Sequence, residues 1–390
     1  MLIDHFHNQN KTYKPYTEEL RSVLNLKNTR EAFDEIISWK GYEVTPLLSL
    51  EEIASKINVK KIYYKDESSR FGLGSFKALG GTYGVLKFLH DMLKEEIGNK
   101  VSLKDIRNGK YRKIVSKYTV ATATDGNHGR SVAFGANLFG CKCQIYIHSE
   151  VSKGRQEAME RLNANVIRVN GNYDESVNIC KSESNSNNWH IISDTSYPGY
   201  TKYPKHIMAG YNIMSEEISN QLEKKEMPSH IFLQGGVGSF PAAICSYFWE
   251  KYHENNIKFI IVESEHAPCL IQSAKKGEMI SINIKKETMM AGLSCGEPSL
   301  LGWKILKKGA DDFVTISDRS IPTMMRLLSN HKPSIEAGES SVAGLAALID
   351  IIENNEIAEK IGIDSESVIL LFGTEGATDP EIYHSIIEAD

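Results

Sequence analysis

Lys77 is the residue whose type and position most directly suggest chemistry. It ends the run Ser75-Phe76-Lys77, which follows a glycine-containing loop, and it falls in the first turn of a predicted helix. A cation there opposes the positive end of the helix dipole, so we expect the pKa of its amine to be lowered. A neutral amine is the form in which lysine bonds covalently to a carbonyl group. The alternative is a solvated lysine at a helix start.

The second candidate is a glycine-rich turn between a predicted strand and a predicted helix, Gln234-Gly235-Gly236-Val237-Gly238-Ser239. Glycines let the backbone approach a ligand closely, and the N–H groups at a helix start bind phosphate. Half of a dinucleotide site would also fit, with Glu263 ending the next strand, but Pro241 stands where that motif has its third glycine. We therefore expect a site for a single phosphate group. The alternative is a plain tight turn.

Three further polar turns follow predicted strands: Thr124 to Gly129, Ser193 to Thr195, and Gly373 to Gly376. In the first turn, backbone N–H groups could bind a carboxylate. In the last, the Thr374 hydroxyl could meet a heterocycle nitrogen. The alternatives are a helix cap at Asp125, a turn former at Asp194 and an ordinary glycine-rich turn around Thr374.

Strands that alternate with helices must position these turns, a pattern typical of parallel α/β sheets. The predicted strands are 62–65, 118–122, 143–147, 166–169, 191–193, 231–233, 259–262 and 368–372. The predicted helices are 76–93, 127–138, 153–162, 173–181, 204–222, 239–251 and 342–352, and 182–188 is predicted to be an exposed loop. Because ligands bind beyond the carboxyl ends of such strands, we expect the turns to share one cleft.

The composition excludes several classes of protein. The chain has 390 residues, of which 41% are hydrophobic, and a net charge of −5, as expected for a globular protein of two or three domains. The mild acidity argues against nucleic acid as a partner, and no apolar run is long enough to span a membrane. The six cysteines and the absence of a secretory signal favour the cytoplasm. Cys141 and Cys143 lack a second pair at zinc spacing, so no metal site is expected.

Taken in order, the motifs resemble the tryptophan-synthase-β-like, fold type II pyridoxal phosphate enzymes. The shared features are Thr45-Pro46-Leu47, the Ser-Phe-Lys run, the Gly-Asn-His turn, the glycine-rich loop and the last polar turn. The resemblance covers nearly the whole chain. It implies an α/β protein of two domains, each a mostly parallel twisted sheet flanked by helices. We predict a discontinuous large domain that binds the coenzyme, residues 1–95 and 223–390, and a small domain, residues 96–222.

Among these enzymes the chain is most similar to the diaminopropionate ammonia-lyases. The stretches that carry this likeness are Arg70 to Leu73, Thr124 to Gly129, Ser193 to Thr195, Ala291 to Pro298 and Gly373 to Gly376. Generic dehydratases have Ser-Ala-Gly-Asn-His where this chain has Thr-Asp-Gly-Asn-His, so a carboxylate replaces an alanine. Asp125 and Asp194 could attract the second amino group of diaminopropionate, whereas serine would leave at least one of them without a partner.

The resemblance implies a carbon–nitrogen lyase that uses pyridoxal 5'-phosphate. The reaction would be α,β-elimination of 2,3-diaminopropionate, D and L, to pyruvate and two ammonia. We expect Lys77 to take the α-proton from the L-isomer and Asp125 from the D-isomer. The implied catalytic residues are Lys77, Asp125 and Asp194; the cofactor-binding residues are Lys77, Asn127, Gly235, Gly236, Val237, Gly238, Ser239 and Thr374; and the substrate-binding residues are Thr124, Asp125 and Asp194.

Two alternatives stay open at this point. One is a serine or threonine dehydratase on the same fold, against which the carboxylates at Asp125 and Asp194 argue. The other is a catalytically silent ligand-binding homologue, against which the intact Lys77 and glycine-rich loop argue. The expected partner is a small amino-acid substrate, and the resemblance implies a homodimer.

Overall fold

A computed structural model describes residues 1–98, 100–124, 126–222 and 226–389. Within these ranges the strands, numbered in chain order, are β1 Leu2–His7, β2 Leu47–Ser49, β3 Lys61–Asp66, β4 Thr119–Ala123, β5 Lys142–Ile147, β6 Asn165–Arg168, β7 His190–Ile191, β8 His230–Gln234, β9 Lys258–Ser264, β10 Asp312–Ile316 and β11 Val368–Gly373. The α-helices of the first half are α1 Glu18–Arg21, α2 Leu26–Ile36, α3 Glu51–Lys56, α4 Lys77–Ile97, α5 Leu103–Arg107, α6 Arg112–Val115, α7 Asn127–Phe139, α8 Lys153–Glu160 and α9 Tyr173–Asn187. Those of the second half are α10 Lys202–Tyr211, α11 Ile213–Gln221, α12 Ser239–Tyr252, α13 Cys269–Lys276, α14 Leu300–Gly309, α15 Ile321–Ser329, α16 Ala343–Ile352, α17 Asn355–Ile361 and α18 Pro380–Ile387.

The larger sheet has the strand order β1-β10-β9-β8-β11-β3-β2. Its five inner strands are parallel, and the edge strands β1 and β2 are antiparallel to their neighbours. Every residue of β8 and of β11 is buried. Helices cover both faces of such a sheet, which explains the continuous apolar runs that mark these strands in the sequence.

The smaller sheet has the order β6-β5-β4-β7, and all its strands are parallel. It is built from residues 119–191 alone, whereas the larger sheet draws on both ends of the chain. The predicted fold class, two mostly parallel sheets flanked by helices, is confirmed. The exact domain boundaries stay a prediction.

Helix α4 packs against α10 and against α7, which itself contacts β4 and β5 of the smaller sheet. Small residues allow the approach to α10. A Cβ atom on Gly210 would lie 2.6 Å from the Leu79 carbonyl oxygen, and one on Gly80 would lie 2.3 Å from the Tyr211 ring. These contacts bring the backbones of the two helices together one turn beyond Lys77.

Two sequence-based expectations about helices are wrong. Residues 182–187 continue helix α9 instead of forming a loop. The side chains of Ser186 and Asn187 donate hydrogen bonds to backbone carbonyl groups one turn earlier, and Ser184 is buried. The helix predicted at 204–222 is two helices, α10 and α11, which meet at Asn212. The Asn212 side chain donates a hydrogen bond to Thr29 in α2, 3.1 Å away.

None of the helices in the described ranges is both long enough and apolar enough to cross a bilayer.

Candidate active site

One cavity lies at the carboxyl ends of strands from both sheets, as the parallel topology predicts. It collects the turns that follow β4, β7, β8 and β11 together with the start of α4. The sequence-predicted site residues that line it are Lys77, Thr124, Asn127, Asp194, Gly235, Gly236, Val237, Ser239 and Thr374. Gly238 belongs to the same loop but does not line the cavity. Asp125 lies outside the described residues.

Lys77 is the first residue of helix α4, and its ammonium forms an ion pair with Asp194. The two side chains are 20% and 14% exposed, so the pair is largely shielded from water. Burial lowers the pKa of Lys77, but the Asp194 carboxylate outweighs burial and raises this pKa above its usual value. The predicted fall in the pKa of Lys77 is therefore wrong. A nearby carboxylate dominates over the helix dipole.

Asp194 is held from several directions. Its backbone carbonyl accepts a hydrogen bond of 2.6 Å from the Ser239 hydroxyl, and its carboxylate accepts one of 3.3 Å from Tyr211. The nearest ring nitrogen of His128 lies 3.9 Å from the same carboxylate. Although burial raises the pKa of Asp194, the Lys77 ammonium holds it well below its usual range. The carboxylate is therefore ionised and fixed beside the amine.

The glycine-rich loop lies between β8 and the 14-residue helix α12. Gly236 and Gly238 have φ values of +58° and +92°, which side chains other than glycine rarely adopt. Among the described residues, nothing accepts a hydrogen bond from the N–H groups of Gly236, Val237 and Ser239. Three such donors at a helix N-terminus fit a phosphate group.

The acid that binds the ribose in a dinucleotide site points into the cavity, but Glu263 does not. Its carboxylate is fully buried and accepts hydrogen bonds from the N–H groups of Leu270 and Ile271, at 2.8 and 2.7 Å, at the start of α13. A Cβ atom on Gly235 would lie 2.6 Å from the Glu263 side chain, so Glu263 packs directly against the glycine-rich loop. This geometry agrees with a site for one phosphate group.

Asn127 begins helix α7, and its side chain donates a hydrogen bond to the Glu375 carboxylate. Glu375 is 6% exposed and also accepts from the Ser340 N–H at 3.2 Å. The Thr374 hydroxyl lies 3.5 Å from the Ser341 hydroxyl. The Thr374 backbone carbonyl accepts a hydrogen bond of 3.1 Å from the Phe76 N–H. The last polar turn therefore contacts both α7 and the residue next to Lys77.

Thr124 is buried, and its hydroxyl oxygen accepts hydrogen bonds from the N–H groups of Gly126 and Gly129, at 3.1 and 3.2 Å. It orders the turn at the start of α7 through its side chain. No metal-binding group of three or more His, Cys, Asp or Glu side chains occurs in the ranges that the structure describes. The six cysteines, all within the described ranges, form no disulfide bond with one another.

The loop that carries Ser75 to Lys77 is anchored by a buried ionic cluster centred on Arg70. The Arg70 guanidinium donates to Glu67 at 2.7 and 2.8 Å and to Glu217 at 2.9 and 2.8 Å. Lys65 completes the cluster with an ion pair of 2.7 Å to Glu217. All four side chains are at most 1% exposed. The bidentate geometry fixes the path of the chain between β3 and α4.

Tyr211 and Glu375 were not among the predicted site residues, yet their side chains bond to Asp194 and Asn127, which were. Tyr211 falls within the predicted helix 204–222 at a spacing that matches the apolar residues around it, so its hydroxyl gave no separate signal. Glu375 is next to Thr374, and a carboxylate at the end of the last strand was the signal that could have identified it.

Comparison with known proteins agrees with this geometry. The family model described as "Pyridoxal-phosphate dependent enzyme" matches residues 39–373. Diaminopropionate ammonia-lyase of Escherichia coli strain K12 is 35% identical over an alignment of 385 positions that covers 97% of this chain and 95% of that one.

Two crystal structures of the Escherichia coli diaminopropionate ammonia-lyase also match. The complex with D-serine superposes with a TM-score of 0.89 at 33% identity and covers 98% of this chain and 96% of that one. The complex with an aminoacrylate-PLP azomethine reaction intermediate superposes with a TM-score of 0.88 at 32% identity. It covers 99% of this chain and 97% of that one. The chain therefore belongs to the pyridoxal-phosphate-dependent enzymes of fold type II and, among them, to the diaminopropionate ammonia-lyase family.

Proposed function

We propose that this protein converts 2,3-diaminopropionate and water to pyruvate and two molecules of ammonia, with pyridoxal 5'-phosphate as cofactor. The observation that carries the proposal is the ion pair between Lys77 and Asp194 in the cavity lined by the glycine-rich loop. A lysine that can bond to the cofactor and a carboxylate that can bind a second ammonium group then lie side by side.

The described residues fit the cofactor. Lys77 would bind it covalently, the N–H groups of Gly236, Val237 and Ser239 would hold its phosphate, and Gly235 and Gly238 give the loop its shape. Thr374 lines the cavity and is our choice for the ring nitrogen, and Asn127 for the ring hydroxyl. When bound, the cofactor withdraws the electron pair that is left when the Cα–H bond of the substrate breaks.

The side chains of this protein would control the protons. Lys77, once displaced from the cofactor, can take the α-proton of the L-isomer. Asp125 is our candidate base for the D-isomer, and its place in the sequence, two residues before Asn127, supports that assignment. The relative from Escherichia coli that was crystallised with D-serine supports a site that admits a D-amino acid.

Asp194 would set the preference for a substrate with two amino groups. Its ionised carboxylate can bind the second ammonium group, which leaves as ammonia, and Thr124 orders the adjoining turn. A serine or threonine dehydratase activity is the alternative. It is less favoured, because a neutral hydroxyl offers less compensation to a buried carboxylate.

The test measures pyruvate and ammonia from D- and L-2,3-diaminopropionate beside D- and L-serine. We expect two ammonia per pyruvate from diaminopropionate and a kcat/KM for it at least about tenfold above that for serine. A higher kcat/KM for serine, with one ammonia per pyruvate, would establish the dehydratase instead. Asp125→Asn is expected to lose mainly the D-activity, and an equal loss with both isomers would refute the division between the two bases.

Three further assignments belong to the same proposal. The protein would be a cytoplasmic homodimer, with the large domain formed by residues 1–95 and 223–390 and the small domain by residues 96–222. The lack of disulfide bonds among the six cysteines supports a reducing compartment. The confinement of β4 to β7 to residues 119–191 supports the division into domains. Sedimentation velocity of the purified protein would test the dimer.

A further inference from the structure

Tyr211 reaches the ion pair of Lys77 and Asp194 from helix α10. It is the last residue of α10 and is fully buried, and its hydroxyl lies 3.3 Å from Asp194 Oδ2. That is the oxygen that pairs with Lys77, whose Nζ lies 5.5 Å from the Tyr211 ring centroid. The hydroxyl, the carboxylate and the amine therefore form one cluster.

The position of this hydroxyl follows from the crossing of two helices. Gly80 in α4 and Gly210 in α10 have no room for a side chain, since Cβ atoms there would lie 2.3 Å and 2.6 Å from atoms of the opposite helix. The Tyr211 ring fills the space over Gly80 and packs on Phe76 with 4.8 Å between ring centroids. Its freedom to turn away from Asp194 is therefore small.

The neighbours of Asp194 explain why a second donor matters. When Lys77 bonds to the cofactor or acts as a neutral base, Asp194 loses the ammonium that compensates its charge. His128 is not a substitute. Its Nε2 lies 2.8 Å from the Ile192 carbonyl oxygen and must carry the proton to bond to it, and burial lowers the pKa of the ring, which leaves Nδ1 as an unprotonated acceptor.

Within the described ranges, neither Tyr200 nor Arg155 donates a side-chain hydrogen bond to this carboxylate. The Tyr200 hydroxyl is used by Ile191 and Ser193, at 3.0 Å each. Cys295, Arg155 and Glu375 line the cavity too. The Tyr211 O–H is then the donor that can stay on Asp194 Oδ2 after Lys77 has given up its charge.

We infer that Tyr211 is a positioning residue that keeps Asp194 ionised and oriented toward the substrate ammonium during the part of the reaction in which Lys77 is uncharged. The inference rests on the proposed function, because it assumes that Asp194 binds the substrate. It adds a requirement for a hydroxyl, not merely an aromatic ring, at position 211.

The test is Tyr211→Phe, which keeps the ring and removes the hydroxyl. We expect the acid limb of the pH profile of kcat/KM to move upward by about one pH unit, because Asp194 then protonates more readily. At neutral pH, KM for diaminopropionate should rise more than kcat falls. The long-wavelength absorption of the resting holoenzyme can be recorded without substrate. The pH at which this absorption is half changed should also move upward.

Tyr203→Phe is the matched control, since it removes a hydroxyl from the same helix without touching the ion pair. It should leave the profile and the absorption midpoint unchanged. In an Asp194→Asn background, Tyr211→Phe should change kcat/KM by less than about twofold, because the two residues act together.

An acid limb and an absorption midpoint that coincide with those of the unmodified enzyme would overturn the inference. An equal loss from Tyr211→Phe with and without Asp194 would also overturn it. If Tyr211→Phe reduced thermal stability, comparison of its absorption midpoint with that of Tyr203→Phe would still decide. The unmodified enzyme's ammonia yield tests the proposed function separately.

Discussion

Asn127 donates a hydrogen bond to Glu375, although 248 positions of sequence separate the two residues. Asn127 lies at the start of helix α7, beside the small sheet. Glu375 follows β11, an inner strand of the large sheet. The bond therefore closes the cavity across the two sheets. Because it joins side chains that the sequence analysis treated as belonging to separate turns, it shows how the turns combine into one site.

Replacing Lys77 by alanine should abolish pyruvate formation and the absorption band of the bound cofactor, expected at about 410–420 nm. The reason is that no other described lysine lines the cavity. Absorbance spectra and initial rates with diaminopropionate would check this. Lys87→Ala, which removes a partly buried lysine from the same helix, should keep both signals. A normal band in the Lys77 variant would contradict the assignment.

Replacing Asp194 by asparagine should reduce kcat/KM for diaminopropionate at least about 100-fold, since a shielded charge pair to the substrate ammonium is lost. The loss for serine should be smaller, because serine has no second ammonium group. Steady-state kinetics with both substrates would measure the ratio. Asp312→Asn, at a buried aspartate that bonds to His5 far from the cavity, is the control. Equal losses for the two substrates would argue against a role in specificity.

Replacing Arg70 by methionine should destabilise the protein by about 3 to 5 kcal/mol, because Glu67 and Glu217 would remain buried with too few cations. Urea unfolding would give the change in free energy. Arg70→Met combined with Glu217→Gln should recover part of the loss. If the double variant were less stable than the single one, uncompensated charge would not be the cause.

Replacing Glu263 by glutamine should change how stability depends on pH. Burial raises the pKa of Glu263 to about 8, although the N–H groups of Leu270 and Ile271 oppose the rise. A carboxyl group with a raised pKa takes up a proton on folding, so its contribution to stability falls as the pH rises from about 4.3 to about 8. We therefore expect the variant to gain stability relative to the unmodified protein over this interval, by up to about 5 kcal/mol.

Urea unfolding at pH 5.5 and pH 8.5 would measure that difference. The cost of placing an amide group against a backbone N–H is the same at both pH values and cancels. Parallel pH dependences for the two proteins would mean that Glu263 is ionised throughout.

The strands and the turns after them were predictable because strands buried on both faces leave unbroken apolar runs that end in polar residues. Lys77 was correctly placed at the start of a helix, but its pKa was not predictable. That pKa depends on Asp194, which is 117 positions away in the sequence and meets the start of α4 only in the folded chain, from the turn after β7. Tyr211 was missed for the same reason, since its hydroxyl matters only where two helices cross.

The place of β11 in the large sheet has a consequence for synthesis on the ribosome. This strand follows the other ten described strands in the chain, yet it lies in the interior of the sheet between β8 and β3. Until residue 373 has emerged, the growing chain presents two open strand edges where the finished protein has none, and such edges favour aggregation. Thr374 and Glu375 directly follow this strand. The cavity therefore becomes complete only after β11 can cover the open edges of β8 and β3.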